Sequence, residues 1–176
     1  RCEAGALGAH AHGITNIEEP GMENKIEKKI KILIICQHNS GRSQIAEAYL
    51  KRFSGGALHV ESAGFEPAER VNPLVVEVMK EEGFDIAGNK PRSVFELFKR
   101  GALFDHVITV CADSESKCPI FPGITKRWHY PFPDPAAVQG PHEERLGKVR
   151  EIRDMIKDKI LNPQAGDFSF KSLLNG

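Results

Sequence analysis

Hydrophobic positions along the chain change period several times, and each change marks an element. Ile30-Lys31-Ile32-Leu33-Ile34-Ile35-Cys36 is a short β-branched run bounded by a loop signal. Such a run suits a strand covered on both faces, as in a parallel sheet. Beyond the loop, Ile45, Ala46, Tyr49, Leu50 and Phe53 recur at helical spacing, and Gly55-Gly56 stops the helix. Leu58 to Ser62 reads as a second strand. Asn72-Pro73 supplies an N-cap and a first-turn proline for a helix striped by Leu74, Val75, Val78 and Met79, which Gly83 ends. Ser93-Val94-Phe95-Glu96 has capping-box spacing and opens a short third helix that closes near Gly101. Phe104 to Val110 predicts a third strand and Lys126 to Tyr130 a weaker fourth. A last amphipathic helix, His142 to Ile160, carries Leu146, Val149, Ile152, Ile156 and Ile160 on one face.

Strands alternating with helices indicate an α/β domain built on a parallel sheet. With 176 residues the chain accommodates one such domain, expected over residues 30–160. Residues 1–29 read as a flexible leader and approach to the first strand. Arg1 to Gly21 is rich in Gly, Ala and His, Met22 is a plausible natural start, and Cys2 is a spare thiol. Residues 161–176 read as a loosely docked tail. Lys+Arg and Asp+Glu both number 24, so the chain lacks the basic excess that nucleic-acid or membrane-surface binding requires. An anion must therefore be held by a local arrangement. No apolar stretch approaches the roughly 20 residues of a membrane span, and the N-terminus lacks a secretory layout. Four cysteines are too few for a disulfide scaffold, which points to chemical use in a reducing cytoplasm.

The strongest chemical signal is Cys36-Gln37-His38-Asn39-Ser40-Gly41-Arg42-Ser43, between the first strand and the first helix. Strand carboxyl ends and helix N-termini gather anions in such sheets. Backbone N–H groups of Gln37, His38, Asn39, Ser40, Gly41 and Arg42 can converge on one tetrahedral oxyanion. The Arg42 fork matches two of its oxygens. The same field favours the Cys36 thiolate, and Ser43 can donate a hydrogen bond to it. Asn39 suits loop shaping, and the His38 side chain has no assigned task.

Cys111 and Cys118 follow the third strand, on the same sheet edge as the Cys36 loop. Six residues separate them, more than a zinc knuckle uses, and no second ligand pair completes a metal site. The polar run between them suits a loop that rearranges to bring sulfurs together. Asp134, between Pro133 and Pro135, sits in a rigid turn. Taken alone, this is the kind of aspartate that turn chemistry commonly selects.

Cys36 to Ala48 (CQHNSGRSQIAEA), Glu61-Ser62-Ala63-Gly64 and Asn72-Pro73 resemble the signatures of the low-molecular-weight protein tyrosine phosphatase superfamily, and within it the thioredoxin-linked arsenate reductases. The resemblance covers residues 30–160. It implies a flavodoxin-like three-layer sandwich with a four-stranded parallel sheet. It also implies a thiol cascade: Cys36 attacks arsenate, Cys111 attacks Cys36 with release of arsenite, and Cys118 attacks Cys111. Thioredoxin then reduces the Cys111–Cys118 disulfide, without a tightly bound cofactor, although the sequence does not separate thioredoxin from a glutaredoxin-type donor. Asp134 takes the general-acid position. Asn39, Glu47 and Ser62 match a monovalent-cation site of some members, but Arg92 stands near a carboxylate of theirs and argues against potassium. Two other readings share the loop: a phosphomonoester phosphatase working through a Cys36 phosphoenzyme, and a non-enzymatic oxyanion or thiol sensor.

Overall fold

The computed structural model describes residues 29–112, 118–123 and 125–174. The expected leader, with Cys2 and Met22, lies outside the described residues, as does the polar run 113–117. Strands β1 (Ile30–Cys36), β2 (Leu58–Gly64), β3 (His106–Thr109) and β4 (Lys126–His129) form one sheet in the order β2-β1-β3-β4, and every pairing is parallel. The fold is α/β and flavodoxin-like. The third and fourth strands are shorter than the segments predicted for them. Hydrogen bonds from Asp105 N to Lys31 O, from Val110 N to Ile35 O and from Tyr130 N to Thr109 O nonetheless extend the pairing to Asp105, Val110 and Tyr130, one residue short of the predicted start at Phe104.

Alternation along β1 assigns its side chains to two layers. Ile32, Ile34 and Cys36 face a core shared with helices α1 (Arg42–Phe53), α2 (Pro73–Glu81) and α4 (His142–Leu161). Leu33 and Ile35 face a second core with Val94 and Leu97 of helix α3 (Val94–Lys99), together with Phe104 and Phe121. The four apolar residues Ile32 to Ile35 are fully buried, each contributing about 1.5–3 kcal/mol by leaving water. This double coverage is why β1 reads as a continuous apolar run.

Local signals account for both ends of α2. Asn72 accepts a hydrogen bond from Leu74 N with Pro73 in the first turn, and Gly83 follows the helix at φ +76°. Ser93 departs from its expected role. Its side chain makes no capping bond, because its backbone bridges to Gly64 beside β2 while its carbonyl accepts from Leu97 N. The tail also differs from the expected loose docking. Phe168 and Phe170 are 5% and 3% exposed in the first core, and helix α5 (Phe170–Leu174) continues from them.

His106 belongs to the anchor of that tail. Its ring lies edge-on to Phe168 and stacks on Trp128, whose indole N–H donates to His106 Nδ1 at 3.1 Å. Burial, then the Lys126 charge, pushes the His106 imidazole below its ordinary value of 6.5, against the pull of Asp105. The unfolded chain therefore takes up this proton first as pH falls. The contribution is complete above about pH 6.5 and declines below it, toward the folded value. The melting temperature is expected to fall between pH 7.5 and 5.5, and to fall less in His106→Gln; an equal fall in both proteins in a thermal titration would show that His106 contributes nothing.

Candidate active site

Cys36 closes β1, and Gly41 sits at the N-cap of α1 without a side-chain cap. The first-turn N–H groups of α1 thus face the loop mouth. The carbonyls of Cys36, Gln37, His38 and Ser40 accept from Phe65, Glu66, Ala68 and Asn72 N. In a planar trans peptide the next N–H points the opposite way. The amides of Gln37, His38, Asn39 and Gly41 are therefore turned inward. The Asn39 amide reaches Cys36 Sγ at 3.1 Å, and Ser43 Oγ lies 3.0 Å from the same sulfur.

Asn39 holds this shape. It is the one non-glycine with positive φ among the described residues, at +50°, a region asparagine tolerates. Its side-chain nitrogen donates to Ser43 Oγ at 2.9 Å and Ser62 Oγ at 2.8 Å, while its oxygen accepts from Arg92 N at 2.8 Å. Gln44 Nε2 donates to the Asn39 carbonyl at 3.0 Å, and Gln44 Oε1 accepts from Asn89. Gln44 was not a sequence candidate, since nothing local to α1 signals this contact. The His38 ring meets Glu66 O at 3.0 Å, directed to the β2–α2 connection.

Gly64 is required by proximity. A Cβ there would lie 2.7 Å from Asn39 N, 2.8 Å from Gln37 O and 2.9 Å from the His38 carbonyl carbon. All three are backbone atoms, so relief means moving the loop. Gly64→Ala is expected to cost about 1–3 kcal/mol and to weaken phosphate binding; an unchanged melting temperature and affinity would show that the loop yields freely.

Arg42 is 8% exposed. Its Nη2 meets Asp134 Oδ2 at 3.0 Å and its Nη1 donates to Phe132 O at 3.1 Å. Asp134 also accepts from Ala136 N at 2.9 Å, fixing its turn, while Pro135 packs on Gly41. The Asp134 loop is thereby clamped over the Cys36 loop. Glu47, 5% exposed, accepts from Ser62 Oγ and contacts Arg92 Nη2 at 3.3 Å and Lys51 Nζ. Arg92 Nη1 meets Glu61 at 2.9 Å. Protein cations thus gather around the carboxylate that matches a monovalent-cation position of some members, in line with the expectation drawn from Arg92 against potassium. Among the described residues no group of three or more His, Cys, Asp or Glu side chains could hold a metal ion.

A model described as low molecular weight phosphotyrosine protein phosphatase matches residues 31–162. The chain belongs to this family. The chain is similar to the arsenate reductase of Bacillus subtilis, 40% identical over 139 residues covering 79% of this chain and 94% of that protein. The arsenate reductase of Oceanobacillus iheyensis is 38% identical, with 77% and 94% covered. Among solved structures, an arsenate reductase in the oxidized state matches with a TM-score of 0.59 and 27% identity, covering 73% of this chain and 92% of that one. The Corynebacterium glutamicum thioredoxin-dependent arsenate reductase matches at 0.51 and 32%, covering 77% and 66%. No helix among the described residues is long and apolar enough to cross a membrane.

The remaining thiols fall on different faces of the family's sheet. None of Cys36, Cys111 and Cys118 is in a disulfide. Cys111 shares the first core with Cys36, because the regular strand ends at Thr109 and the chain turns Val110 and Cys111 to the same side. Cys118 lies in the second core beside Phe104 and Phe121. Burial pushes its thiol above the ordinary range, against the pull of Arg127.

Proposed function

We propose that the chain reduces arsenate to arsenite through Cys36, Cys111 and Cys118, with thioredoxin as electron donor. The observation that carries this reading over simple hydrolysis is Cys111, buried in the same apolar cluster as the Cys36 nucleophile. Its relatives named as arsenate reductases support the substrate, and the thioredoxin-dependent neighbour supports the donor.

The inward amides and the Arg42 fork bind the oxyanion, which displaces Asp134 from Arg42. The Cys36 thiolate attacks As(V), and Asp134 in its acid form protonates the departing oxygen as water. Cys111 attacks Cys36 Sγ; the S–As electron pair stays on arsenic, giving arsenite and a Cys36–Cys111 disulfide. Cys118 attacks Cys111 Sγ, and Cys36 leaves as thiolate. Cys118 must leave its core to reach Cys111 in this step, since the two residues start on opposite faces of the sheet. No tightly bound cofactor enters, and resting dithiols require a reducing cytoplasm.

One equivalent of arsenate added to reduced protein without donor tests the relay. Peptide mapping should find Cys111–Cys118 as the accumulated disulfide with one equivalent of arsenite; a Cys36 oxidation product alone would contradict it. Arg92 and Lys51 at Glu47 make added potassium dispensable in this reading. Melting temperature and KM are expected to be equal in potassium and sodium at matched ionic strength, and a potassium-specific rise would oppose it. The family's phosphatase chemistry remains open to Cys36, Arg42 and Asp134 as a side activity.

A further inference from the structure

Cys118 is contacted by the side chain of Arg127, which the relay does not itself use. Arg127 lies on the edge strand β4, in register with Val107, whose side chain belongs to the same core as Cys118. Its Nη2 lies 2.6 Å from the Pro119 carbonyl oxygen, 3.2 Å from the Cys118 carbonyl oxygen and 3.4 Å from Cys118 Sγ. Two consecutive carbonyls and the sulfur thus converge on one guanidinium nitrogen. Val107, Thr109 and Trp128 line the same cleft. Cys111, the sulfur that Cys118 must reach, belongs to the opposite core.

We propose that Arg127 is a positioning residue of the relay, which seats Cys118 in the dithiol protein and lets go when Cys118 leaves to join Cys111. This rests on the three-cysteine reading. In the step concerned, the Cys118 thiolate forms a bond to Cys111 Sγ, the Cys36–Cys111 bond breaks, and its electron pair leaves on Cys36. The Arg127 contacts belong to the dithiol seat, so they stabilise the dithiol relative to the Cys111–Cys118 disulfide. A couple whose reduced form is stabilised is the more oxidising one. Arg127 therefore makes the disulfide easier for a dithiol donor to reduce. The same seat shields the Cys118 thiol from unproductive oxidation, and burial keeps it protonated there.

The test uses the full chain with Cys2→Ser and Cys36→Ser, equilibrated in dithiothreitol or glutathione redox buffers, with Cys111 and Cys118 followed by mass spectrometry. Arg127→Ala should favour the disulfide by about tenfold, a potential about 30 mV more negative. Arg127→Lys, which keeps a charged donor but not the rigid, longer guanidinium that places it, should fall between. Iodoacetamide should alkylate reduced Cys118 several-fold faster in Arg127→Ala, with Cys111 unchanged. A purely structural role would lower the melting temperature and leave the potential where it was. Unchanged potential and unchanged Cys118 alkylation in folded Arg127→Ala would overturn the proposal. Should that variant not fold, Arg127→Gln must show the shift, and its absence there overturns the proposal equally. If the parent forms no Cys111–Cys118 disulfide at any poise, the relay itself fails and the role of Arg127 fails with it.

Discussion

Cys111→Ser is expected to lower thioredoxin-coupled arsenate turnover at least about a thousandfold while leaving aryl-phosphate hydrolysis within about threefold, since removing a nucleophile that acts alone in its step leaves almost nothing of that step. Cys36, Arg42 and Asp134 remain in place in this variant, and they suffice to form and hydrolyse a phosphoenzyme. Arsenate would still add to Cys36, but no thiol would take the sulfur from arsenic. The adduct would revert to arsenate. A serine hydroxyl in the apolar cluster that Cys111 occupies lowers stability modestly. Parallel loss of both activities with an intact fold would mean that Cys111 supports the loop and not electron transfer.

Arg42→Lys is expected to lower both activities by about 10²–10³, with the Cys36 thiol still present. Arg42 meets Asp134 and Phe132 O through separate nitrogens, so its planar fork organises the acid loop as well as the anion. Lysine keeps the charge but gives up the two-point geometry. Steady-state kinetics on arsenate and on an aryl phosphate check this. A loss under tenfold would show that charge alone binds the oxyanion and that the fork is incidental.

The order of elements and the loop from Cys36 to Ser43 were legible because they rest on local period and on residues close in sequence. The period-2 sorting of Ile32 to Cys36 onto two cores follows from strand geometry once the run is recognised. The contacts that give the site its shape are long-range and had no local signal. Gly64 touches the Cys36 loop from another strand, and Gln44 ties the Asn39 carbonyl to Asn89. The opposite placement of Cys111 and Cys118 depends on where β3 stops and on how Phe121 packs against Phe104 and Phe98, neither of which spacing reveals. The tail misled for a related reason. Its helix has five residues, too few to display a period, so the burial of Phe168 and Phe170 could be seen only in three dimensions. The capping-box spacing at Ser93 was correct as a helix start and wrong as a side-chain bond, since a bridge to Gly64 took over its backbone.

In the proposed relay, electrons pass from a dithiol donor to arsenate through three cysteines of this chain. Arsenate-dependent NADPH oxidation, measured with purified protein, thioredoxin and thioredoxin reductase, tests it most directly. Steady turnover that disappears in each of Cys36→Ser, Cys111→Ser and Cys118→Ser is the result expected. No arsenate-dependent oxidation, alongside clear aryl-phosphate hydrolysis by the same preparation, would contradict it and leave a phosphatase with two further buried thiols, one on each face of its sheet.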